Sequence, residues 1–308
     1  MKAVVFVKEG QMALEDRPLP ELKPGHILCK TLLSGVTNGT ERNSLMGGNY
    51  GGTYPAQPGY QNVARVVAVG ESVSTYQIGD VVFSGGHHKH VGYFAPDVSQ
   101  PEHPDNLIQK LPEDLDLRWA CMFGMAAVAM HDVRRSEVSL GEKALVVGAG
   151  SVGLFTSQIA RAAGANATIC DLDPARLDIA KSVGIVHTVR IENDETWQQI
   201  KASGPYDVVF EDSGAPILDK IVGHTWGQGL ITKRGRIIVI AGRADVTYNF
   251  NAGQSHEATL FHASHFDRSD LKEICRLVTE CIVHVEPLIK DEVPITDAPS
   301  IYERLRDL

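Results

Sequence analysis

The 308-residue chain is 43% hydrophobic and 22% charged, which gives it the length and apolar content for a sizeable core and two domains and excludes a disordered or fibrous protein. Its formal net charge of −9 supplies no positive field for phosphate backbones or acidic membranes, so nucleic acid is not an expected partner. The apolar run in "MKAVVFVKEGQ" is too short for a secretory core, and no later run approaches the roughly 20 residues of a membrane span. The five cysteines show no CxxC or disulfide spacing, so the expectation is a cytoplasmic chain with reduced, mostly buried thiols.

Taken in order, the first third reads as short strands broken by Gly and Pro: "KAVVFV", "MALEDRPLP", "HILCKTLLSGV", then "ARVVAVG" and "GDVVF" around the turn "ESVSTYQI". That texture predicts a small, twisted, mostly antiparallel β domain with long loops. A buried helix is predicted over "WACMFGMAAVAMHDVRR". Apolar strands then alternate with helical patterns: "KALVVGAG", "VGLFTSQIARAAGA", "ATICDLD", "PARLDIAKSVG", "YDVVFEDSG", "PILDKIVGHTW" and "RGRIIVIAG". Continuous apolar strands in that alternation imply a parallel sheet covered on both faces. Two helices, "SDLKEICRLVTECI" and "APSIYERLRDL", close the chain.

The stretch "ALVVGAGSVGLFTSQIARAAGANATICDLDPARLDIA" carries the most chemistry. Gly148, Gly150 and Gly153 fit GxGxxG directly after an apolar strand, with Ser151 and Val152 opening the helix. The three glycines have separate tasks: a tight turn, close backbone approach to a pyrophosphate, and close packing of helix on strand. The helix N-terminus adds free N–H groups and the positive end of its dipole. Asp171 then ends the second strand at close to the roughly 20-residue spacing expected of a ribose-binding carboxylate. A carboxylate there accepts from the ribose hydroxyls and repels a 2′-phosphate, which favours NAD(H) over NADP(H). Arg176 fits either the adenine side or a plain surface position. The strand ends "EDSG" and "IAG" make Ser213, Ala241 and Gly242 candidate cofactor walls, although each glycine also fits a simple strand stop.

With "GVTNGTE", "PGYQNVARVVAVGESVSTYQIGDVVF", "GAGSVGLFTSQIARAAGA" and the closing "APSIYERLRDL", the whole chain resembles the medium-chain dehydrogenase/reductase superfamily, and "SGVTNGTE" with "PGYQ" resembles a zinc-free branch that includes bacteriochlorophyllide dehydrogenases. The resemblance implies an α/β plus β fold: a GroES-like β-rich catalytic domain over residues 1–124, a Rossmann NAD-binding domain with a doubly wound parallel sheet over 125–263, and a segment 264–308 that returns to the catalytic domain. It also implies a substrate cleft between the domains. A homodimer is implied through the edge strand of the Rossmann sheet, placed at "ADVTYNF".

Zinc-dependent members of the superfamily carry a Cys in a "G-x-C-x-x-D" loop and a His–Glu pair after a glycine. The matching positions here hold Thr37 and the turn Gly59-Tyr60-Gln61, and the four-cysteine structural zinc lobe is missing. Catalytic zinc takes three ligands from thiolate, imidazole or carboxylate, so no metal is expected. His87, His88 and His90 of "GGHHKH" lack a nearby carboxylate or thiol in the sequence, and His88 is kept as a residue pointing into the cleft.

Hydrogen-bond donors then have to stabilise the alkoxide. A zinc contributes several kcal/mol as Lewis acid, and one aimed donor about 3–4 kcal/mol, so two or three donors suffice. The candidates are Tyr60 as donor and acid, Gln61 through its amide, Thr37, Asn38 and Thr40 from the opposite loop, and Glu41 as base or acceptor. The candidates also have packing readings: Tyr60 as a half-buried packing residue with its hydroxyl tied to backbone, Gln61 as a residue that holds the turn, Thr40 as a helix cap, Glu41 as a cap or an ion pair with Arg42. The expected activity is metal-independent, NAD(H)-dependent hydride transfer between a nicotinamide and a secondary alcohol or ketone of a small molecule, and the resemblance leans toward polyhydroxylated substrates. A quinone or enoyl reductase and a non-catalytic dinucleotide-binding protein are the alternatives.

Overall fold

Short apolar runs in the first third fold into antiparallel strands, in a computed structural model that describes residues 1–50, 52–86 and 90–307. The chain divides into two compact units, the first made of Met1–Gly124, Asp267–Thr279 and Ile289–Leu308. In it β1 (Lys2–Lys8) and β2 (Gln11–Asp16) form a hairpin. A five-stranded sheet combines β3 (Ile27–Ser34), β4 (Asn62–Val69), β5 (Val81–Ser84), β6 (Tyr93–Phe94) and β7 (Ile108–Lys110) in the order β6-β3-β4-β5-β7, with every pairing antiparallel. Ala3, Ile27, Ala64, Val66 and Val82 fill its core. Helix α1 (Asn38–Leu45) leaves the end of β3, and the four-residue α2 (Leu117–Ala120) is capped by the Asp116 side chain.

The single helix expected over "WACMFGMAAVAMHDVRR" is two, α2 and α3 (Phe123–Ser136). The break falls at Cys121–Met122, where the Cys121 carbonyl is turned against Gly35 so closely that a Cβ on Gly35 would lie 2.2 Å from it.

The second unit, Met125–Phe266 with Glu280–Leu288, holds a six-stranded parallel sheet. Its strands are β8 (Lys143–Val147), β9 (Asn166–Asp171), β10 (His187–Arg190), β11 (Tyr206–Glu211), β12 (Ile231–Val239) and β13 (Thr259–His262), in the order β10-β9-β8-β11-β12-β13. The order reverses beside β8, and in such sheets ligands bind at the carboxyl ends around that point. The helices are α4 (Ser151–Ala162), α5 (Pro174–Ser182), α6 (Asp194–Ser203), α7 (Leu218–Val222) and α8 (Phe250–His256). β10, α6, α8 and β13 are additions to the elements read from sequence. "ADVTYNF" is not a strand: the edge strands of the sheet are β10 and β13, and Asn249 instead caps α8 by accepting from the Ala252 N–H.

Helices α9 (Arg268–Thr279) and α10 (Ala298–Arg306) belong to the first unit. α10 buries Tyr302 and Leu305 against Phe6 and Leu45, with the Tyr302 ring edge-on to Phe6 at 5.2 Å. Four of the five cysteines are buried and Cys281 is exposed. Among the described residues no helix is long and apolar enough to cross a membrane.

The stretch 280–288 is tied to α4 by Gln158, whose side chain accepts from the His284 N–H at 2.7 Å and donates to the His284 carbonyl at 3.1 Å. Gln158→Ala leaves both backbone groups to seek water. We expect a loss of about 1–3 kcal/mol in urea unfolding and faster proteolysis confined to 280–288, and unchanged cleavage of this stretch would show that the tie is unimportant.

Candidate functional site

β8 delivers the chain into the glycine loop, and each glycine there has its own steric reason. Gly148 sits at φ +105°, and a Cβ on it would meet the Ser213 backbone at 2.9 Å. At Gly153 a Cβ would lie 1.9 Å from the Gly148 carbonyl, so α4 can start this close to β8 only without a side chain. Gly150 is the N-cap of α4, and nothing lies within 4 Å of its absent Cβ. That leaves room over the first N–H groups of a 12-residue helix, with Ser151 and Val152 half-buried in its first turn.

Asp171 ends β9 beside this loop. One oxygen accepts from the Ala149 N–H at 2.6 Å, and the other from the Asp173 N–H at 2.8 Å. The half-exposed Arg176 holds a guanidinium nitrogen 3.6 Å from Asp171 and another 3.6 Å from Asp173. Thus the carboxylate is fixed against the loop, and Arg176 leans on the two acids. An open helix N-terminus, a glycine turn and a fixed carboxylate at the next strand end fit a dinucleotide, with its pyrophosphate on the loop and its ribose at Asp171.

The opposite wall is more acidic than sequence suggested. Glu211, fully buried at the end of β11, pairs with the Arg243 guanidinium and accepts from the Ser213 hydroxyl and the Ser213 N–H. Arg243 also donates to the carbonyls of Ala241 and Ala215, so Ser213 and Ala241 are both tied into this cluster while Gly242 is exposed. Asp212 follows, its carboxyl oxygens shielded from solvent. Burial pushes its pKa up to about 7; the Thr156 hydroxyl opposes that rise, the Glu211 charge adds to it, and Arg243 opposes it.

In the first unit, the loop after β3 and the turn before β4 meet around one carboxylate. Glu41 is 2% exposed and lies on the first turns of α1, whose N-cap is Thr37. One Glu41 oxygen accepts from the Thr37 N–H at 2.8 Å and the Thr37 hydroxyl at 3.2 Å; the other accepts from His90 Nε2 at 2.9 Å and the Tyr302 hydroxyl at 2.5 Å. His90 Nδ1 lies 2.5 Å from the Ser34 hydroxyl. Burial alone would raise the Glu41 carboxyl, but His90, Tyr302 and Thr37 outweigh it and hold it below its ordinary 4.5. Gly59 permits this packing: it sits at φ +103°, and a Cβ there would lie 2.7 Å from His90 Nε2.

Tyr60 hydrogen-bonds to the side chains of Thr37 and Thr40. Burial and the Glu41 charge push its phenol well above the ordinary tyrosine range. Gln61 is fully buried, its backbone carbonyl accepting from the Gly35 N–H at 2.9 Å. Its side chain is pressed so close to Gly124 that a Cβ there would lie 2.7 Å from Gln61 Cγ.

The structure therefore gathers Tyr60, Thr37, Thr40 and Glu41 into one hydrogen-bonded group, packs Gln61 beside Tyr60 at Gly124, and leaves Asn38 exposed at the start of α1. His88 lies outside the described residues. Glu41 is no partner of Arg42, whose Nε donates to the Leu305 carbonyl at 3.0 Å, and the cap of α1 is Thr37, where sequence offered Thr40. His90, Tyr302, Arg243 and Asp212 are the additions. In sequence His90 reads as a poor metal ligand or a solvated side chain, and Tyr302 shows nothing in its own helix beyond an apolar stripe.

A family model described as zinc-binding dehydrogenase matches residues 151–280. Sorbitol dehydrogenase 2 of Saccharomyces cerevisiae is 27% identical over 98% of this chain and 93% of its own length, and a probable D-xylulose reductase A of Aspergillus clavatus is 26% identical over 98% and 93%. Among solved structures, 2R,3R-butanediol dehydrogenase from Bacillus subtilis superposes with a TM-score of 0.82 at 22% identity, covering 98% of this chain and 95% of its own. The fold is thus that of the alcohol dehydrogenases, a GroES-like unit with a Rossmann unit.

Asp212 gives this geometry a pH signature. A carboxyl raised from 3.8 to about 7 binds its proton in the folded state across that window, so its stabilising effect is complete below 3.8 and is lost as pH rises through 7. Asp212→Asn is expected to raise the melting temperature at about pH 8 and to change it little at about pH 4. An equal change at both would contradict the burial argument.

Proposed function

We propose that this chain, a member of the alcohol dehydrogenase-like medium-chain dehydrogenase/reductase superfamily, is an NAD(H)-dependent oxidoreductase that interconverts a secondary alcohol and its ketone on a small, polyhydroxylated molecule without a catalytic zinc. Tyr60, bonded to Thr37 and Thr40 above the buried Glu41, is the observation that carries the reading. It stands at the positions where, by resemblance, zinc-dependent relatives place their ligands. Sorbitol, xylulose and butanediol in the names of similar proteins support vicinal-diol chemistry as the substrate class.

The donor set does not suit zinc. The Thr37 hydroxyl is committed to Glu41, the Tyr60 phenol keeps its proton, the Gln61 amide is neutral, and burial pushes the Cys121 thiol up to about 12. Zinc ligands must be deprotonated or neutral imidazole. His90 and Glu41 bond to each other, and among the described residues no third His, Cys, Asp or Glu places a ligand atom within 4.8 Å of both. The family model described as zinc-binding covers 151–280 and so leaves out Thr37, Tyr60 and Gln61.

When bound, the dinucleotide supplies hydride chemistry; the chain supplies its seat and the proton. Gly148 to Gly153 and α4 take the pyrophosphate. Asp171 takes the ribose and disfavours a 2′-phosphate, which supports NAD(H). Tyr60 donates to the substrate oxygen, stabilising the alkoxide during reduction, and the neutral Tyr60 phenol does so at ordinary pH.

Two measurements test the reading. Fluorescence titration is expected to give at least about tenfold tighter binding of NADH than of NADPH. Tyr60→Phe should lower turnover of a vicinal diol or its ketone about a hundredfold with NADH affinity unchanged. A fully active Tyr60→Phe protein would remove Tyr60 from the chemistry.

A further inference from the structure

We infer that Arg243 and Glu211 are positioning residues for the nicotinamide half of the dinucleotide: their buried pair holds the backbone walls at the carboxyl ends of β11 and β12 at a fixed spacing beside the glycine loop. This rests on the proposed function for the dinucleotide itself, and deepens it by assigning the half-seat that the loop and Asp171 do not supply.

The ladder between β11 and β12 stops where Glu211 stands opposite Val239, and past that point the Ile240 N–H reaches the Glu211 carbonyl only at 3.5 Å. Strand pairing lets go where a ligand needs firm walls. One guanidinium takes over: Nε donates to the Ala241 carbonyl at 3.0 Å, Nη1 to the Ala215 carbonyl at 3.3 Å, and Nη2 to the Glu211 carboxylate. The acceptors lie at the end of β11, on the loop after it and on the loop after β12, so a single planar fork ties the two loops together. These loops run close: Gly214 sits at φ +75°, and a Cβ on it would lie 3.5 Å from the Ala241 Cβ.

The other Glu211 oxygen turns Ser213 inward. It accepts from the Ser213 N–H at 3.1 Å and from the Ser213 hydroxyl, and the Ser213 backbone lies so near Gly148 that a Cβ there would meet it at 2.9 Å. A continuous chain thus runs from Arg243 through Glu211 and Ser213 to the first glycine of the loop.

Stability alone is a poor reason for such a pair. Glu211 is fully buried and the Arg243 side chain 13% exposed, and desolvating two ions offsets most of their attraction, so apolar replacements of buried pairs are often neutral or stabilising. Apolar side chains cannot reproduce three directed bonds to two loops. In a doubly wound sheet each half seats one mononucleotide, on either side of the strand-order reversal. The reversal here lies beside β8; Asp171 on β9 marks the adenosine half, which leaves the walls of β11 and β12 to the nicotinamide half.

The experiment compares NADH with ADP, which carries the adenosine and pyrophosphate and lacks the nicotinamide half. Arg243→Met/Glu211→Gln removes one charge of each sign, so the net charge beside the pyrophosphate is unchanged while the fork is lost. In calorimetric titration of the full chain, this variant is expected to bind NADH at least about tenfold more weakly than the wild type and ADP within about twofold of it. A merely structural pair would lower the melting temperature and leave the NADH-to-ADP affinity ratio where it was. Equal loss for both ligands, or loss for neither, overturns the inference.

Should the double variant fail to fold, Arg243→Lys keeps a cation beside Glu211 and gives up the fork. It is expected to lower the same ratio at least about threefold, and an unchanged ratio overturns the inference. Wild-type protein that binds neither NADH nor ADP overturns the proposed function and the inference together, whereas wild type that binds both, beside a variant with an unchanged ratio, overturns the inference alone.

Discussion

A carboxylate out of water costs several kcal/mol unless donors replace its hydration, and the first unit is arranged around meeting that cost for Glu41. Its four donor groups come from three separate places: the N–H and hydroxyl of Thr37 at the N-cap of α1, the His90 segment and the last helix. Satisfying one buried anion therefore fixes the end of β3 through Ser34, the glycine turn at Gly59 through His90, and α10 through Tyr302. α10 is in this sense part of the candidate site and not merely a closing element. Burial, reinforced by the charge of this same anion, keeps Tyr60 a neutral phenol.

The second unit follows a different constraint. Parallel strands buried on both faces bring their carboxyl ends to one edge, and the reversal of strand order beside β8 opens the place where the glycine loop lies. Register sets Val147 opposite both Cys170 and Glu211, one residue before the loop, so Asp171 and the Glu211–Arg243 pair flank it on either side. A positive φ at Gly148 and the missing Cβ of Gly153 then allow the helix start to come close enough to serve as an anion seat. In the proposed function, binding chemistry in this unit is made by backbone, and proton chemistry in the other by side chains.

Those differences decide what was legible in the sequence. The glycine loop and Asp171 could be read because their spacing is local and each glycine has a steric task. Thr37, Tyr60 and Gln61 could be read because they replace metal-ligand types at recognisable positions. His90 and Tyr302 could not be assigned: they meet Glu41 across 49 and 261 residues, and nothing in a linear pattern marks that meeting. β10 and α6 are faint in the sequence because "HTVR" is short and half exposed, and α6 is a mostly polar helix recognisable chiefly by its Asn193 cap. The break between α2 and α3 came from the Cys121 carbonyl packing against Gly35, a tertiary contact inside an apolar run that reads as unbroken helix.

The account's central claim is that hydrogen-bond donors do the work of a Lewis acid at the Thr37, Tyr60 and Gln61 positions. Elemental analysis of protein purified without chelator, paired with NADH-linked turnover before and after dialysis against a strong chelator, tests it most directly. The account predicts zinc far below one per chain and turnover that survives the dialysis. Stoichiometric zinc whose removal abolishes turnover, and whose return restores it, would contradict the account.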